Sequence, residues 1–368
     1  MLTNLAKVAL AATLIWYVVS KVGLETIVQS LSGIERGGWA LGLVLVLAAN
    51  VLAMLRWHML MRSVGLNSTV WLALRLGFLG VFFNNVVPGL TGGDLVKAVY
   101  VTRENPSQRA AAVVSVIVDR GIGIVALALI AAVVIPFDLE RYGGAALGIY
   151  GFLSVAAVGA VFTMSRRMKA RLAARMGAGS PGGGGTLGGL RSKLSGLVSK
   201  LDQAVSMYRH RLPTLVLAVA MSITVHMLII VALSLFGVAL SEGGLAALEQ
   251  GQVVQGVEDP ELRLAQLQTF QELGLDVYCS VVPIIMIISA LPIAPAGWGV
   301  GEVAFVHFFG TVGIVDVDST ALSFTYRLTA MLVSLLGGIF FVIDRRRVLE
   351  ASSSDDDRAE PEPAAPQP

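Results

Sequence analysis

The stretch FFNNVVPGLTGGD, at residues 82–94, interrupts an otherwise apolar run of sequence with proline, glycine and amide side chains. It ends in the carboxylate of Asp94, and a largely apolar stretch then leads to Arg120, 26 residues further on. Proline and neighbouring glycines end a helix, so this stretch predicts a helix that stops inside an apolar segment. Charged groups at membrane depth are costly, and they usually mark a pathway or an internal pair.

A second stretch repeats this pattern in the other half of the chain. It reads LPIAPAGWGVGE at residues 291–302 and ends in Glu302, and Arg327 follows 25 residues later. Broken helices at matching positions of two halves indicate a transporter's binding site and favour an inverted repeat. The alternative interpretation is two loops at the membrane surface whose glycines serve ordinary packing.

The composition places the chain among polytopic membrane proteins. Hydrophobic residues make up 55% of it, charged residues 14%, and the mean hydropathy is +0.75. Backbone groups in lipid must pair within the segment, so the fold class is an all-α helix bundle. A net charge of +2 gives no indication of a nucleic-acid partner. The single cysteine, Cys279, excludes an intramolecular disulfide and a cysteine-based metal cluster.

Apolar segments of membrane-spanning length recur along the chain. They predict about eight transmembrane helices, at residues 5–22, 39–61, 110–136, 143–164, 212–239, 275–291, 302–315 and 319–343. A further apolar helix at 70–87 stops at Pro88 and is expected to be half-length or re-entrant. The fold therefore contains two Gly/Pro-broken re-entrant segments.

Basic residues are distributed unevenly between the predicted sides of the membrane. Most of the 27 lysines and arginines fall in the N-terminus and in residues 62–110, 165–211 and 344–368. Lysine and arginine favour the cytoplasmic side of short loops. We therefore expect a multi-pass protein of the cell (inner) membrane with both termini in the cytoplasm.

The regions between the spans define the domain organisation. Residues 1–345 are predicted to form the membrane domain, and residues 346–368, which are acidic and proline-rich, a disordered cytoplasmic tail. Residues 165–211 combine a flexible glycine-rich linker at 177–189 with an amphipathic helix, which either lies on an anionic leaflet or packs on the bundle. Residues 241–274 are polar and mildly acidic, and they are predicted to form an insertion on the outside.

The first broken segment offers candidate binding groups. Asn85, Gly92, Gly93 and Asp94 place polar side chains and open backbone where the next helix begins. A helix N-terminus attracts anions through its unpaired N–H groups and its dipole, and a lipid phosphate would fit. Asp94 is equally consistent with a simple N-cap. In the second segment, Gly297 and Gly299 are the corresponding candidates for backbone contacts.

Arg120 and Arg327 are the sharper candidates, because a guanidinium presents a planar fork of donors that matches phosphate. The alternative is two structural ion pairs, for which Asp94, Asp119 and Glu302 are available. Asp119 points to a different helix face from Arg120, so it is expected to pair with another helix or to carry protons.

Other polar residues have simpler interpretations. Arg56 and Trp57, near the end of a span, are expected to reach the interface by snorkelling and by joining an aromatic belt. Trp298 is expected to fill the second turn. The four histidines show no metal-ligand spacing, and no nucleophile motif is present. We therefore expect no metal, no cofactor and no enzymatic activity.

Several segments together resemble one known family. They are the LRWHML end of the second span, the NNVVPGLTGGD turn, the VDRGIG start of a later span, and LPIAPAGWGVGE followed by a distant Tyr326-Arg327. In this order they resemble the lysylphosphatidylglycerol synthase transmembrane region, also called the flippase-like domain family, over about residues 5–345. The resemblance implies a membrane domain associated with lipid translocation, without the cytosolic domain that makes the aminoacyl lipid in bifunctional relatives.

Three functions are open at this point. The chain either translocates or binds a polar or anionic membrane lipid, or acts as a membrane-embedded lipid or polyprenyl transferase, or is a non-catalytic partner of a separate lipid-modifying enzyme. For translocation, the expected site residues are Asn85, Gly92, Gly93, Asp94, Asp119, Arg120, Gly297, Gly299, Glu302 and Arg327.

Overall fold

The structure is a computed structural model that describes residues 13, 16–17, 19–20, 24–86, 92–138, 147–154, 207–208, 211–250, 259–290 and 297–356. Among these residues the regular elements are all helical and none is a strand. The all-α fold class is therefore confirmed. The helices are numbered here in chain order: α1, Leu24–Ser32; α2, Arg36–Ser63; α3, Val70–Val86; α4, Gly92–Glu104; α5, Arg109–Val134; α6, Leu212–Glu249; α7, Pro260–Gln271; α8, Leu275–Ala290; α9, Val300–Gly310; α10, Asp316–Asp356.

Four described helical segments are long and apolar enough to cross a membrane. They are α2, α5 with its flanking turns, α6, and Asp316–Val342 within α10. A fifth results if α7 and α8 are counted as one span, although the two are bent by 85°. The predicted spans at 5–22 and 143–164 lie largely outside the described residues.

Two of the membrane-spanning helices, α2 and α6, pack antiparallel against each other. At one end, the backbone N–H of Glu35 donates to the carbonyl of Ala239 over 2.9 Å. Further along, Gly42 lies against the ring of Phe236. Nearer the other end of α2, Arg56 reaches Ser222. Helices α2 and α6 serve as the reference for the positions of the two broken segments.

The first broken segment forms a helical hairpin of α3 and α4, named here the first hairpin. At its base, the N–H of Asn67 donates to Asn105 Oδ1 over 2.7 Å. At its tip, the N–H of Gly93 donates to Asn84 Oδ1 over 2.9 Å. The chain thus enters along α3 and returns along α4, as the predicted re-entrant helix requires.

The second broken segment forms a similar hairpin of α8 and α9, the second hairpin. The rings of Tyr278 and Phe309 meet at its base, with centroids 5.6 Å apart, and Ser289 lies beside Gly301 at its tip. Helix α9 has 11 residues, or about 16 Å of length against a hydrocarbon core of about 30 Å. Helix α9 alone is therefore too short to cross the membrane, it folds back on α8, and the predicted count of about eight crossings is not confirmed.

The two hairpins enter the bundle from opposite ends. The base of the first lies just beyond Ser63, the last residue of α2. At the base of the second, the Tyr278 hydroxyl lies against Gly237 of α6, close to where Glu35 meets Ala239 at the start of α2. Helix α5 follows the first hairpin and packs against α8, the first helix of the second hairpin. Helix α10 follows the second hairpin and packs against α3, the first helix of the first hairpin. This exchange of partners is the arrangement that an inverted repeat produces.

Two segments, the predicted insertion at 241–274 and the start of the predicted tail, contain helices that the sequence did not indicate. Within the predicted insertion at 241–274, α6 continues to Glu249 and α7 buries Arg263, Leu267 and Phe270 against the bundle. Helix α10 continues to Asp356, beyond residue 345, the predicted end of the membrane domain. No proline or glycine occurs in this part of the chain, and its arginine, leucine and alanine residues favour a helix. The rest of the predicted tail and most of 165–211 lie outside the described residues.

Candidate functional site

The tip of the first hairpin depends on a close backbone approach. Gly93 lies so close to the carbonyl of Gly80 and to the side chain of Asn84 that a Cβ atom there would overlap both. Only glycine fits this contact. Asn85, the predicted site residue, donates its side-chain amide to the carbonyl of Val81 over 3.0 Å. Its neighbour Asn84 is therefore the asparagine that joins the two helices.

Helix α4 begins at Gly92 and carries Asp94 in its first turn. Asp94 Oδ2 lies 2.7 Å from Arg120 Nε, so the first predicted pair is formed. Neither side chain is fully buried: 55% of the Arg120 side chain and 29% of the Asp94 side chain are exposed. Arg120 lies near the middle of a span, where an exposed charge requires water or a charged ligand.

Asp119 turns away from this pair and binds Arg56 on α2. Arg56 Nε lies 2.8 Å from Asp119 Oδ1, and the same guanidinium donates to the Ser222 hydroxyl of α6. Arg56 is 6% exposed, and Trp57 is buried and donates to Ser115 Oγ. The predicted snorkelling and aromatic belt are therefore wrong, because both side chains point between helices and find polar partners there.

Lys97, which the sequence analysis did not single out, lies one helical turn after Asp94. Its stem packs against Gly80 of α3, and its ammonium lies 5.4 Å from the centre of the Trp57 ring. The spacing of three residues from Asp94 could have indicated that it shares the same helix face. Its apolar neighbours in sequence gave no sign that it would be drawn into the bundle.

The second hairpin positions its carboxylate differently. Gly297 and Gly299 have φ of 69° and 78°, a region that favours glycine. This backbone turns the chain so that the N–H of Gly299 donates to Glu302 Oε2 over 2.6 Å, which caps the start of α9. Glu302 is 0% exposed. The predicted site residues Gly297, Gly299 and Glu302 are thus parts of one capped turn.

Arg327 closes this turn from α10. Its guanidinium pairs with the Glu302 carboxylate and donates to the carbonyl of Gly297 over 2.7 Å. It also lies over the ring of Trp298, 4.4 Å from the centroid, in cation–π geometry. Trp298 was expected only to fill the turn. In the structure its ring also covers the guanidinium of the ion pair.

The two hairpins therefore present related modules with different exposure. In each, a carboxylate in the first turn of the returning helix pairs with an arginine on the next long helix. Arg120 lies 11 residues after Arg109, the start of α5, and Arg327 lies 11 residues after Asp316, the start of α10. The Arg120 side chain is 55% exposed, whereas that of Arg327 is 15% exposed. The module of the first hairpin is open and that of the second is sealed.

This architecture defines a polytopic all-α membrane protein with a charged, re-entrant centre. Residues 4–248 match the family described as "Lysylphosphatidylglycerol synthase TM region", which is more than half of the chain. The chain belongs to this family, as its sequence motifs suggest. The match includes the first hairpin, Arg56 and Arg120, and ends before the second hairpin. The chain has no significant match among the curated proteins or the solved structures.

Proposed function

We propose that this membrane protein moves a lipid with a polar or anionic head group from one leaflet to the other, and that it is a transporter rather than an enzyme. The observation that carries this proposal is the ion pair of Asp94 and Arg120. It combines a position near the middle of a span, the tip of a broken hairpin and a guanidinium that is more than half exposed.

The exposure of Arg120 indicates what this position accommodates. A charged side chain at the middle of the hydrocarbon costs about 2.5–3.5 kcal/mol by the lowest estimates. The exposed part of the Arg120 guanidinium is therefore expected to face a polar space. A head group would occupy that space while its acyl chains stay in the surrounding lipid. The guanidinium fork can then bind a phosphate through two parallel hydrogen bonds.

The second module complements the first in this proposal. Arg327 is held by Glu302, Gly297 and Trp298, so its fork is already occupied. Because the hairpins enter from opposite ends, opening one module while the other stays sealed would expose the centre to one side at a time. This picture supports a head group that crosses between the two hairpins.

We also propose that both termini lie in the cytoplasm and that the protein lies in the cell membrane. The support is the bias of basic residues, including the run Arg345-Arg346-Arg347 after the last span. An alkaline phosphatase fused after Ile343 is expected to be inactive. Periplasmic phosphatase activity from this fusion would contradict the proposed orientation.

Purified protein in liposomes tests the transport proposal, with dye-labelled lipid placed in one leaflet and its appearance in the other measured. The wild type is expected to move the lipid, and Arg120→Lys to fail, since lysine keeps the charge but loses the fork. Arg109→Lys, the same exchange at an exposed residue of α5, is the matched control. Normal movement by Arg120→Lys would contradict binding of a phosphate by the fork.

The same assay separates the three functions left open by the sequence. Chemical alteration of the labelled lipid would identify a transferase. Neither movement nor alteration would favour a partner of a separate lipid-modifying enzyme. Movement without alteration is the result that the proposal predicts.

A further inference from the structure

Five charged side chains of the described residues lie near one another where α2, α4 and α5 meet. Three are cations and two are carboxylates: Arg56, Lys97, Arg120, Asp94 and Asp119. Lys97 interacts electrostatically with all four of the others. The cluster therefore carries a formal excess of one positive charge within the bundle.

Both carboxylates of this cluster are already paired with arginines. Asp94 Oδ2 lies 2.7 Å from Arg120 Nε, and Asp119 Oδ1 lies 2.8 Å from Arg56 Nε. No carboxylate of the described residues lies within ion-pair distance of the Lys97 ammonium. The adjoining turn at 87–91, which lies outside the described residues, reads VPGLT and contains no ionisable side chain.

Among the described residues, the other contacts of Lys97 bring it no further negative charge. Its stem lies along Gly80, and the Trp57 ring, 5.4 Å from the ammonium, offers a cation–π contact. Such a contact contributes about 0.5–2 kcal/mol, which is less than an ammonium loses when it leaves water. Lys97 is partly buried, and among the described residues its ammonium has no carboxylate of its own, so one further anion would balance the cluster.

We propose that Lys97 and Arg120 together select a lipid whose head group carries a phosphate and no cationic group, so that its net charge is negative. The transport of that lipid rests on the proposed function, whereas its binding does not. Arg120 contributes the fork that matches phosphate, and Lys97 contributes the point charge that balances the cluster. A zwitterionic head group would bring an ammonium or quaternary amine into the same space, where it meets two cations.

Two kinds of lipid share this chemistry: phosphatidylglycerol and a polyprenyl phosphate. Both present a phosphate with no amine, but only the polyprenyl phosphate is a monoester that can carry a second negative charge. One excess positive charge on the protein matches the single charge of phosphatidylglycerol. The experiment therefore uses phosphatidylglycerol as the principal probe and a short polyprenyl phosphate as a second arm.

A binding measurement tests the selection directly. The melting temperature of the purified protein in neutral detergent is recorded with dioctanoyl phosphatidylglycerol, with dioctanoyl phosphatidylcholine, with the polyprenyl phosphate and with inorganic phosphate. A ligand that binds only the folded state stabilises it by RT ln(1 + L/Kd), where L is the free ligand concentration, so at equal concentration the ligand that binds more tightly raises the melting temperature more. We expect phosphatidylglycerol to bind at least about ten-fold more tightly than phosphatidylcholine. Inorganic phosphate alone should raise the melting temperature least.

Lys97→Met is the decisive variant, because it keeps the stem and removes the charge. It is expected to fold, since it removes an uncompensated charge, and to bind the two lipids about equally. Lys97→Arg should restore the preference, and Arg109→Met is the matched control for loss of a positive charge at an exposed site. If Lys97→Met does not fold, the neutral variant Lys97→Gln takes its place, and an unchanged preference in Lys97→Gln would equally overturn the inference.

Equal binding of the two lipids by the wild type would overturn the inference, and so would an unchanged preference in Lys97→Met. Stronger binding of the polyprenyl phosphate would retain the anionic class and assign the other source. If the wild type shows the binding preference but moves no lipid in liposomes, the proposed transport fails while the head-group selection holds. If it moves lipids without any preference, the selection fails and the transport holds.

Discussion

Arg327 and Glu302 form an ion pair at the tip of the second hairpin in which the carboxylate is 0% exposed and the arginine side chain 15% exposed. The corresponding pair of Asp94 and Arg120 at the first hairpin is 29% and 55% exposed. An arginine–carboxylate pair therefore occurs at both hairpins, buried at the second and partly exposed at the first. This contrast separates the structural contribution of each arginine from its role in transport.

We expect Arg327→Ala to destabilise the protein strongly. Removing Arg327 leaves Glu302 as a buried carboxylate without its cation, which costs about 3–5 kcal/mol for a buried pair. Arg120→Ala should cost no more than about 1 kcal/mol, because water can reach Asp94 once the arginine is gone. Thermal unfolding of both variants in detergent, together with their abundance in membranes, measures the difference.

The double variant Arg327→Met with Glu302→Gln is the control for the buried pair. It removes both charges and is expected to recover most of the stability lost in Arg327→Ala. Equal losses in Arg120→Ala and Arg327→Ala would mean that the two pairs do not differ in exposure as described.

The close approach at the tip of the first hairpin gives a second prediction. Gly93→Ala places a methyl group against the carbonyl of Gly80 and the side chain of Asn84, and we expect a loss of about 1–3 kcal/mol from overpacking. Gly121→Ala is the matched control, because no atom lies within 4 Å of the added carbon. It should be neutral or slightly stabilising, since alanine favours a helix more than glycine does. Unfolding in denaturant measures both, and a harmless Gly93→Ala would show that the helices can separate at this point.

Part of this fold and site could be predicted from the sequence alone. The proline and glycine breaks identified the turn of each hairpin, and the carboxylates at the ends of these breaks were among the partners expected for Arg120 and Arg327. These features are local, or they follow from the cost of leaving a charge unpaired in a membrane.

Features that depend on packing between distant helices could not be predicted. An apolar run of 11–17 residues suits a short crossing or one arm of a hairpin equally well, so α8 and α9 were predicted as crossings. Arg56 is buried only because α5 and α6 bring Asp119 and Ser222 beside it. Lys97 joins the same cluster through the folding of α4 onto α3, which no local pattern reveals.

A second buried pair connects α7 to α10 and gives a third prediction. Arg263 donates to both carboxylate oxygens of Asp318, over 2.8 and 2.7 Å, and the two side chains are 3% and 5% exposed. Arg263→Met should cost about 3–5 kcal/mol, because it leaves a buried carboxylate unpaired. Arg263→Met with Asp318→Leu should recover most of this loss. A double-mutant cycle by thermal unfolding measures the coupling, and additive losses would show that the two residues do not act as a pair.

The start of α2 should make stability depend on pH through Glu35. The Glu35 carboxylate accepts hydrogen bonds from the N–H groups of Gly37 and Gly38, over 2.6 and 2.5 Å. The bonds from Gly38 and then Gly37 lower the pKa of Glu35 below its ordinary value of 4.5. A carboxyl group whose pKa is lower in the folded state stabilises that state above its unfolded pKa, and the contribution is lost as the pH falls through the folded pKa.

We therefore expect wild type to melt at a higher temperature than Glu35→Gln at neutral pH, and the difference to shrink as the pH is lowered below 4.5. Melting temperatures of both proteins across this range measure the effect. Glu25→Gln, at an exposed acid of α1, reports the general consequence of removing one negative charge. A difference between wild type and Glu35→Gln that stays constant with pH would show that the charge of Glu35 does not contribute to capping α2.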